Sequence, residues 1–462
     1  MVEKQFVVMP DEIEIWYFIE NTIKNAMNLF NFKEIRTSIL QSKELYEKHS
    51  RFSKEFTKKS LDYHLYNIED EVNMSLRPEG TLSVLNTPIV NNALINPQKV
   101  FYYGPMFIKH QTDTKNINQF YQVGAEILGS KNIVSDIEVI LLAQYILKSL
   151  YISHFHLEIC SHGCENCHAV YIESMSHFLE YNYSNICDIC QENTQINPLN
   201  IFRCEHIDCQ NIANMSPKIL DYLCVDCTKN FKEIKKLLVN LGIVYSVNPN
   251  LLLNFDYYTC LVFRFVQVES QHTQPDVNSL ISTEYTQSEI DETDSFVTKQ
   301  DNAEIAAKKV FNTAFINGGR YDNLASYITN QTLASVGFSF NIDAAFPLIK
   351  NNIADIITAN IFTVCVGSLS ENMELLILQV EQELHKKNIK TIIIEKTIEQ
   401  NALNDIFNTY NCNILLLLKD DLILEGNIAA ISYDPENNRI GQDIISLSNI
   451  MDYIKKLKIK NL

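Results

Sequence analysis

The stretch Met74-Ser75-Leu76-Arg77-Pro78-Glu79-Gly80-Thr81, followed by the run Lys99-Val100-Phe101-Tyr102-Tyr103 and the turn Gly104-Pro105-Met106-Phe107, decides the fold. Short alternating runs of this kind read as strands. Working outward, Ile13 to Leu29 and Asp136 to Leu150 carry the apolar period of amphipathic helices. A cysteine-dense module then runs from Cys160 to Cys227 and ends in the helical pattern Phe231 to Leu238, after which the mixed pattern resumes from Ile243 to about Lys350. One α+β core split by an insertion accounts for that order. Beyond Asn360, continuous apolar runs at Ile361–Val366, Thr391–Ile394 and Ile414–Leu418 alternate with helical segments. Runs apolar on both faces imply buried strands in a small α/β domain.

These motifs together resemble the histidyl-tRNA synthetases, class II enzymes that activate histidine with ATP. Arg77 to Thr81 and Phe101 to Phe107 resemble the entrance to their catalytic site, and Gln119-Phe120-Tyr121-Gln122-Val123-Gly124-Ala125-Glu126 resembles the return strand of motif 2. Phe32 to Thr37 is similar to the start of the dimer-forming motif 1, with Ser38 where proline is usual. Asn248-Pro249 through Phe255-Asp256-Tyr257-Tyr258 and Gly318-Gly319-Arg320-Tyr321-Asp322 are similar to the two histidine-specific signatures, and Val336 to Phe340 to the entry of motif 3. The resemblance implies an α+β fold: a class II synthetase-like antiparallel sheet core with helices at 1–157 and 242–352, a cysteine-rich insertion at 158–241, and an anticodon-binding-like α/β domain at 358–462.

By the same resemblance, Glu79, Thr81 and Gln122 would bind the α-ammonium of histidine, and Glu126, Tyr258 and Tyr321 would read its imidazole. The residue types are apt, since carboxylates accept from a cation or a ring N–H and phenols can donate or accept. The nucleotide side departs from the family. Its motif 2 arginine falls at Ile108, with His110 where an acid is usual; its second arginine falls at Leu253, beside Asn254; and its motif 3 acid–arginine pair falls at Asp343 and Ala344. Basic positions of the motif 2 loop fall at Asn116 and Asn118. Lys109 and Lys115 do not reproduce the planar bidentate fork of arginine. The expectation is a catalytically degenerate homologue that retains a histidine pocket and serves as a sensor or regulator, its protein partner unidentified. The alternative is an active, strongly diverged histidine–tRNA ligase, for which ATP and magnesium would be cofactors.

Nine of the 12 cysteines lie in the insertion. Cys164/Cys167, Cys187/Cys190 and Cys224/Cys227 are C-x-x-C pairs, and Cys204/Cys209 is a slightly wider one. Two such knuckles complete a four-thiolate zinc site. Four pairs suit one or two structural zinc ions; Cys160, His162, His168 and His206 are spare candidates, and small buried hydrophobes are the competing reading. Disulfides are the weaker explanation in a reducing cytosol.

The 462-residue chain is 46% hydrophobic and carries 38 basic against 56 acidic residues, a formal net charge of -18. That balance argues against loose, sequence-independent nucleic-acid binding. Neither an apolar leader nor a membrane-length apolar run is evident, so a cytoplasmic protein without membrane association is expected, a homodimer by the motif 1 resemblance. The polar, acidic segment 267–301 reads as a disordered loop. In the last domain Glu395 to Asn411 holds a single lysine, and Lys455, Lys456, Lys458 and Lys460 form a basic tail, a pattern poorly equipped for tRNA.

Overall fold

In the computed structural model, the two motif-bearing runs lie on long antiparallel strands whose alternation sets the pocket. The strands of the first unit are β1 (Lys33–Glu34), β2 (Leu40–Ser42), β3 (Met74–Leu76), β4 (Gln98–Lys109), β5 (Ile117–Leu128), β6 (Phe155–Ser161), β7 (Tyr245–Val247), β8 (Thr259–Gln267), β9 (Ala314–Arg320) and β10 (Ser335–Asn341). Eight of them form one sheet in the order β1-β4-β5-β10-β9-β8-β6-β7. Its six central strands pair antiparallel, and the outermost pairs β1·β4 and β6·β7 are parallel. The structure describes residues 7–10, 12–49, 74–109, 117–251, 253, 257–268, 314–329, 331–360, 362–395, 397–398, 403–410, 412–434 and 439–460. The loop expected at 267–301 falls outside them from residue 269 on, as do His110, Lys115, Asn116, Asn254, Phe255, Asp256 and Lys396, and the side chains of Lys109, Asn118, Lys456, Lys458 and Lys460.

The amphipathic helix Ile13–Leu29 buries Ile15, Trp16, Ile19, Ile23, Ala26 and Met27, a stripe at helical spacing. The next long helix, Ile133–Ser149, starts three residues before the expected Asp136 because the Asn132 side chain accepts from the Val134 N–H and caps it. Asp136 in its first turn meets Arg320 at the end of β9 through two bonds of 3.0 and 2.8 Å, with both side chains almost wholly buried. Arg320 also donates to the Ser130 carbonyl and to Asp322.

The chain divides into Met1–Asn352 and Ile353–Leu462, so the insertion belongs to the first unit. Its helices are Glu165–Tyr181, Asp188–Ile196, Ile207–Met215 and Val225–Asn240. A module with its own core would leave the rest of the unit intact when lost, but the packing is different. One continuous hydrophobic cluster joins Tyr171, Met175, Leu199, Ile201 and Ile212 of the insertion to Leu251, Leu253, Tyr257, Tyr258 and Tyr321.

The second unit is a five-stranded sheet ordered β12-β11-β13-β14-β15, where β11 is Thr363–Ser368, β12 Lys390–Ile393, β13 Ile414–Leu418, β14 Asn427–Asp434 and β15 Arg439–Ser446. Val364, Val366, Leu416 and Ala430 pack in one core with Leu384 and Ile454; Cys365, Leu415, Leu417 and Ile431 pack in another with Ile406 and Phe407. Burial on both faces explains the unbroken apolar runs. The antiparallel β14–β15 hairpin makes the sheet mixed and was not anticipated from sequence.

Removing one member of a buried ion pair strands the other charge. Asp136→Ala should therefore destabilise the first unit by about 3–5 kcal/mol in urea unfolding, and the paired change Asp136→Leu/Arg320→Met by clearly less.

Candidate functional site

Side chains two apart on a strand share a face, so β5 presents Gln122 and Glu126 together. Register places Gln122 opposite Gly104 of β4, Gly124 opposite Tyr102 of β4, and Glu126 opposite Gly337 of β10. A cleft opens on that face, lined by Glu79, Thr81, Gln122, Glu126, Tyr257, Tyr258, Tyr321, Gly337, Phe338 and Ser339. All six residues expected to hold a ligand line this one cleft. Two glycines make room for it: a Cβ on Gly337 would lie 1.8 Å from Glu126 Oε2, and one on Gly319 would lie 2.8 Å from Tyr258 Cδ1.

The two carboxyls are buried and partnered. Thr81 Oγ1 donates to Glu126 Oε1 at 2.8 Å, and the Tyr321 hydroxyl donates to Glu126 Oε2. Glu79 accepts from the backbone N–H groups of Thr81 at 2.6 Å and Leu82 at 2.8 Å, at the start of the short helix Thr81–Leu85. Gln122 Oε1 accepts from the Gly80 N–H at 3.2 Å and the Tyr102 hydroxyl at 3.1 Å. Burial pushes Glu126 up to about 8, against the lowering effect of its hydroxyl donors, with repulsion from Glu79 adding to the rise. Burial likewise pushes Glu79 up to about 7, against its two backbone donors. Burial and the nearby Glu126 also push the Tyr258 phenol up, so it stays protonated and able to donate. Such a site can take a small ligand that carries a cationic group and polar ring edges.

Sequence reasoning missed Tyr257, which stands beside Tyr258 in the same Asp-Tyr-Tyr signature, and Gly337 and Ser339, which lie within the quoted run Val336–Phe340. It also missed Tyr102, whose hydroxyl holds Gln122; alternation with Gly104 along β4 is the available signal.

The positions expected to lack cations are placed as follows. Ile108, 36% exposed, lies near the end of β4 opposite Asn118. Leu253 is buried, and its carbonyl accepts from Arg203 Nη2 at 3.2 Å. Ala344 donates its N–H to Asn341 Oδ1 at 3.1 Å, while Asp343 accepts from the Tyr121 N–H. Arg77 and Arg320, on segments flanking the cleft, are committed to protein partners: Arg77 donates to the Pro105 carbonyl and to the carbonyl and hydroxyl of Thr37.

The cysteines separate into two sets of four, Cys164/Cys167/Cys224/Cys227 and Cys187/Cys190/Cys204/Cys209, and within each set the sulfurs lie within 4.8 Å of one another. A tetrahedral zinc site with Zn–S of about 2.3 Å would space its sulfurs about 3.8 Å apart; Cys164–Cys167 is 3.5 Å and Cys187–Cys204 is 3.7 Å. Cys164, Cys187 and Cys224 each immediately precede a helix, where the dipole favours thiolate. The Cys224 N–H donates to Cys167 Sγ at 3.1 Å and the Cys187 N–H to Cys209 Sγ at 3.2 Å. A hydrogen bond from the Cys227 backbone holds the Cys224 thiol down at about 7. Both sets can coordinate a metal such as zinc. The spare candidates stand apart: Cys160 is buried on β6, the His162 ring meets the Leu251 carbonyl at 2.9 Å and lies beside His168, and His206 faces Asp208.

Residues 20–165 match the family model described as histidyl-tRNA synthetase. A histidine–tRNA ligase of Halothermothrix orenii is 31% identical over 342 residues, which cover 73% of this chain and 71% of that protein. One of Thermosipho melanesiensis is 27% identical over 441 residues, covering 95% and 93%. Among solved structures, apo histidyl-tRNA synthetase of S. aureus aligns over 98% of both chains with a TM-score of 0.69 at 21% identity, a likeness of fold.

The raised carboxyl pKa values carry a pH dependence. Both lie above 4.5, the ordinary value, so protonation favours the folded state. That stability is fully present below about pH 4.5 and lost as pH rises through about 7 for Glu79 and about 8 for Glu126. Thermal melting of the ligand-free protein should find Glu126→Gln near neutral at about pH 4 and stabilising at about pH 9.

Proposed function

The chain belongs to the histidyl-tRNA synthetase family, and we propose that it is a catalytically degenerate member that binds histidine and acts as a sensor or regulatory partner. What supports this reading is a cleft lined by Glu79, Thr81, Gln122, Glu126, Tyr258 and Tyr321, together with apolar residues, Ile108, Leu253 and Ala344, where the resemblance places the family's three arginines. In the cleft the ammonium meets Glu79, Thr81 and Gln122, and the ring meets Glu126 and the two phenols. Adenylate formation needs preorganised cations at the phosphates, and each lost donor typically reduces the rate by about 10²–10³. The protein is a cytoplasmic homodimer, and each chain holds two structural zinc ions in its two four-cysteine sets. The second reading, an active diverged histidine–tRNA ligase using ATP and magnesium, draws on the ligase relative that spans 95% of the chain.

Calorimetry should detect histidine binding that weakens about 10- to 100-fold in Glu126→Ala, because a buried ring N–H is left unpaired. Histidine-dependent ATP–pyrophosphate exchange should be negligible, and Ile108→Arg alone should not restore it, since the missing cations act as a unit. Robust exchange by the unmodified protein would turn the reading to the diverged ligase.

Metal analysis of protein prepared without chelator should find about two zinc ions per chain, and Cys187→Ser or Cys224→Ser should each release one. Protein without zinc would rule out the metal sites.

A further inference from the structure

The insertion does more than sit beside the pocket: it holds the segment that carries two of the pocket tyrosines. Three of its side chains reach that segment. The His162 ring meets the Leu251 carbonyl at 2.9 Å, Arg203 Nη2 donates to the Leu253 carbonyl at 3.2 Å, and Lys218 Nζ donates to Asn250 Oδ1 at 3.0 Å. Backbone bonds close the other end. The Cys260 N–H donates to the Gly163 carbonyl and the His162 N–H to the Cys260 carbonyl, each at 2.7 Å. Cys260 holds a left-handed φ of 50° to make that exchange, a conformation that a non-glycine residue adopts only where its surroundings enforce it.

The anchors are tied to the metal sites by chain position. Gly163 directly precedes Cys164 of one set, and Arg203 directly precedes Cys204 of the other. Without an ion the cysteines of a set take up protons and lose the bonds that draw them together, so a knuckle that loses its metal loses its hold on the residue next to it. Beneath the anchors the apolar packing is shared, with Leu251, Leu253, Tyr257 and Tyr258 in the same cluster as Leu199 and Ile201. We propose that Arg203, His162 and Lys218 are positioning residues that make the placement of Tyr257 and Tyr258 conditional on metal in the two cysteine sets, so that the pocket reports the metal and thiol state of the insertion.

The test uses the full-length protein with its metal, the same protein stripped by chelator, and the variants Arg203→Ala and Lys218→Ala, which keep every cysteine. Hydrogen exchange of peptides covering Asn248–Leu251 and Tyr257–Leu261 should be about tenfold faster in the stripped protein and in both variants, while β4 and β5 exchange as before. Arg203→Lys should recover part of the protection. Histidine affinity should fall about 3- to 10-fold in Arg203→Ala, with zinc content unchanged. The clamp rests on the pocket reading only for that last readout. Faster exchange at these peptides in a protein that binds no histidine would overturn the pocket reading and leave the clamp standing. Unchanged exchange at both peptides in Arg203→Ala and Lys218→Ala would overturn the clamp, as it would if stripping unfolded the whole unit.

Discussion

A carboxyl taken out of water must find hydrogen-bond donors inside the protein, and Glu126 finds them on two distant parts of the chain. Thr81 supplies one from the start of the helix Thr81–Leu85 and Tyr321 supplies the other from just beyond β9, 45 and 195 residues away in sequence. Much of the first unit can be understood from that requirement. Gly337 gives the carboxyl its space, Glu79 binds the backbone around Thr81, and the Arg320–Asp136 pair fixes the residue that precedes Tyr321 against the helix Ile133–Ser149. A buried polar group left unpaired costs about 1–3 kcal/mol, so these contacts succeed or fail together.

The same desolvation sets the electrical character of the cleft. Two carboxyls with raised pKa values line the cleft, and Arg77 and Arg320 on the flanking segments are bonded to protein partners. Once ionised, carboxyls in a low-dielectric site attract amines and repel phosphates.

The elements were more legible in the sequence than the partnerships. Helical spacing predicts Ile13–Leu29, and unbroken apolar runs predict β11 and β13, because in both cases local burial repeats at the period of the element. The β14–β15 hairpin gave no such signal: Gln442, Asp443 and Ile444 on β15 are exposed, so no face-to-face alternation marks it. The six ligand-facing residues were found through motif resemblance, whereas Asp136 acts through a partner that no local pattern reveals, across 184 residues. C-x-x-C spacing identifies knuckles but not which of them share an ion. The structure brings Cys164/Cys167 together with Cys224/Cys227 and Cys187/Cys190 together with Cys204/Cys209, two sets nested in chain order.

That nesting bears on how the protein is made. All eight clustered cysteines precede residue 228, whereas the pocket is complete only with Tyr321 on the far side of β9 and Gly337 on β10. At 5–20 residues per second of synthesis, the two moments are separated by on the order of ten seconds. The insertion has emerged, with its full complement of thiols, before the last donor to Glu126 exists. Until then the growing chain holds a buried-type acid exposed to water and an apolar insertion face awaiting its tyrosines, the kind of intermediate on which chaperones act. Early metal capture would turn the insertion into a finished surface on which the later strands assemble.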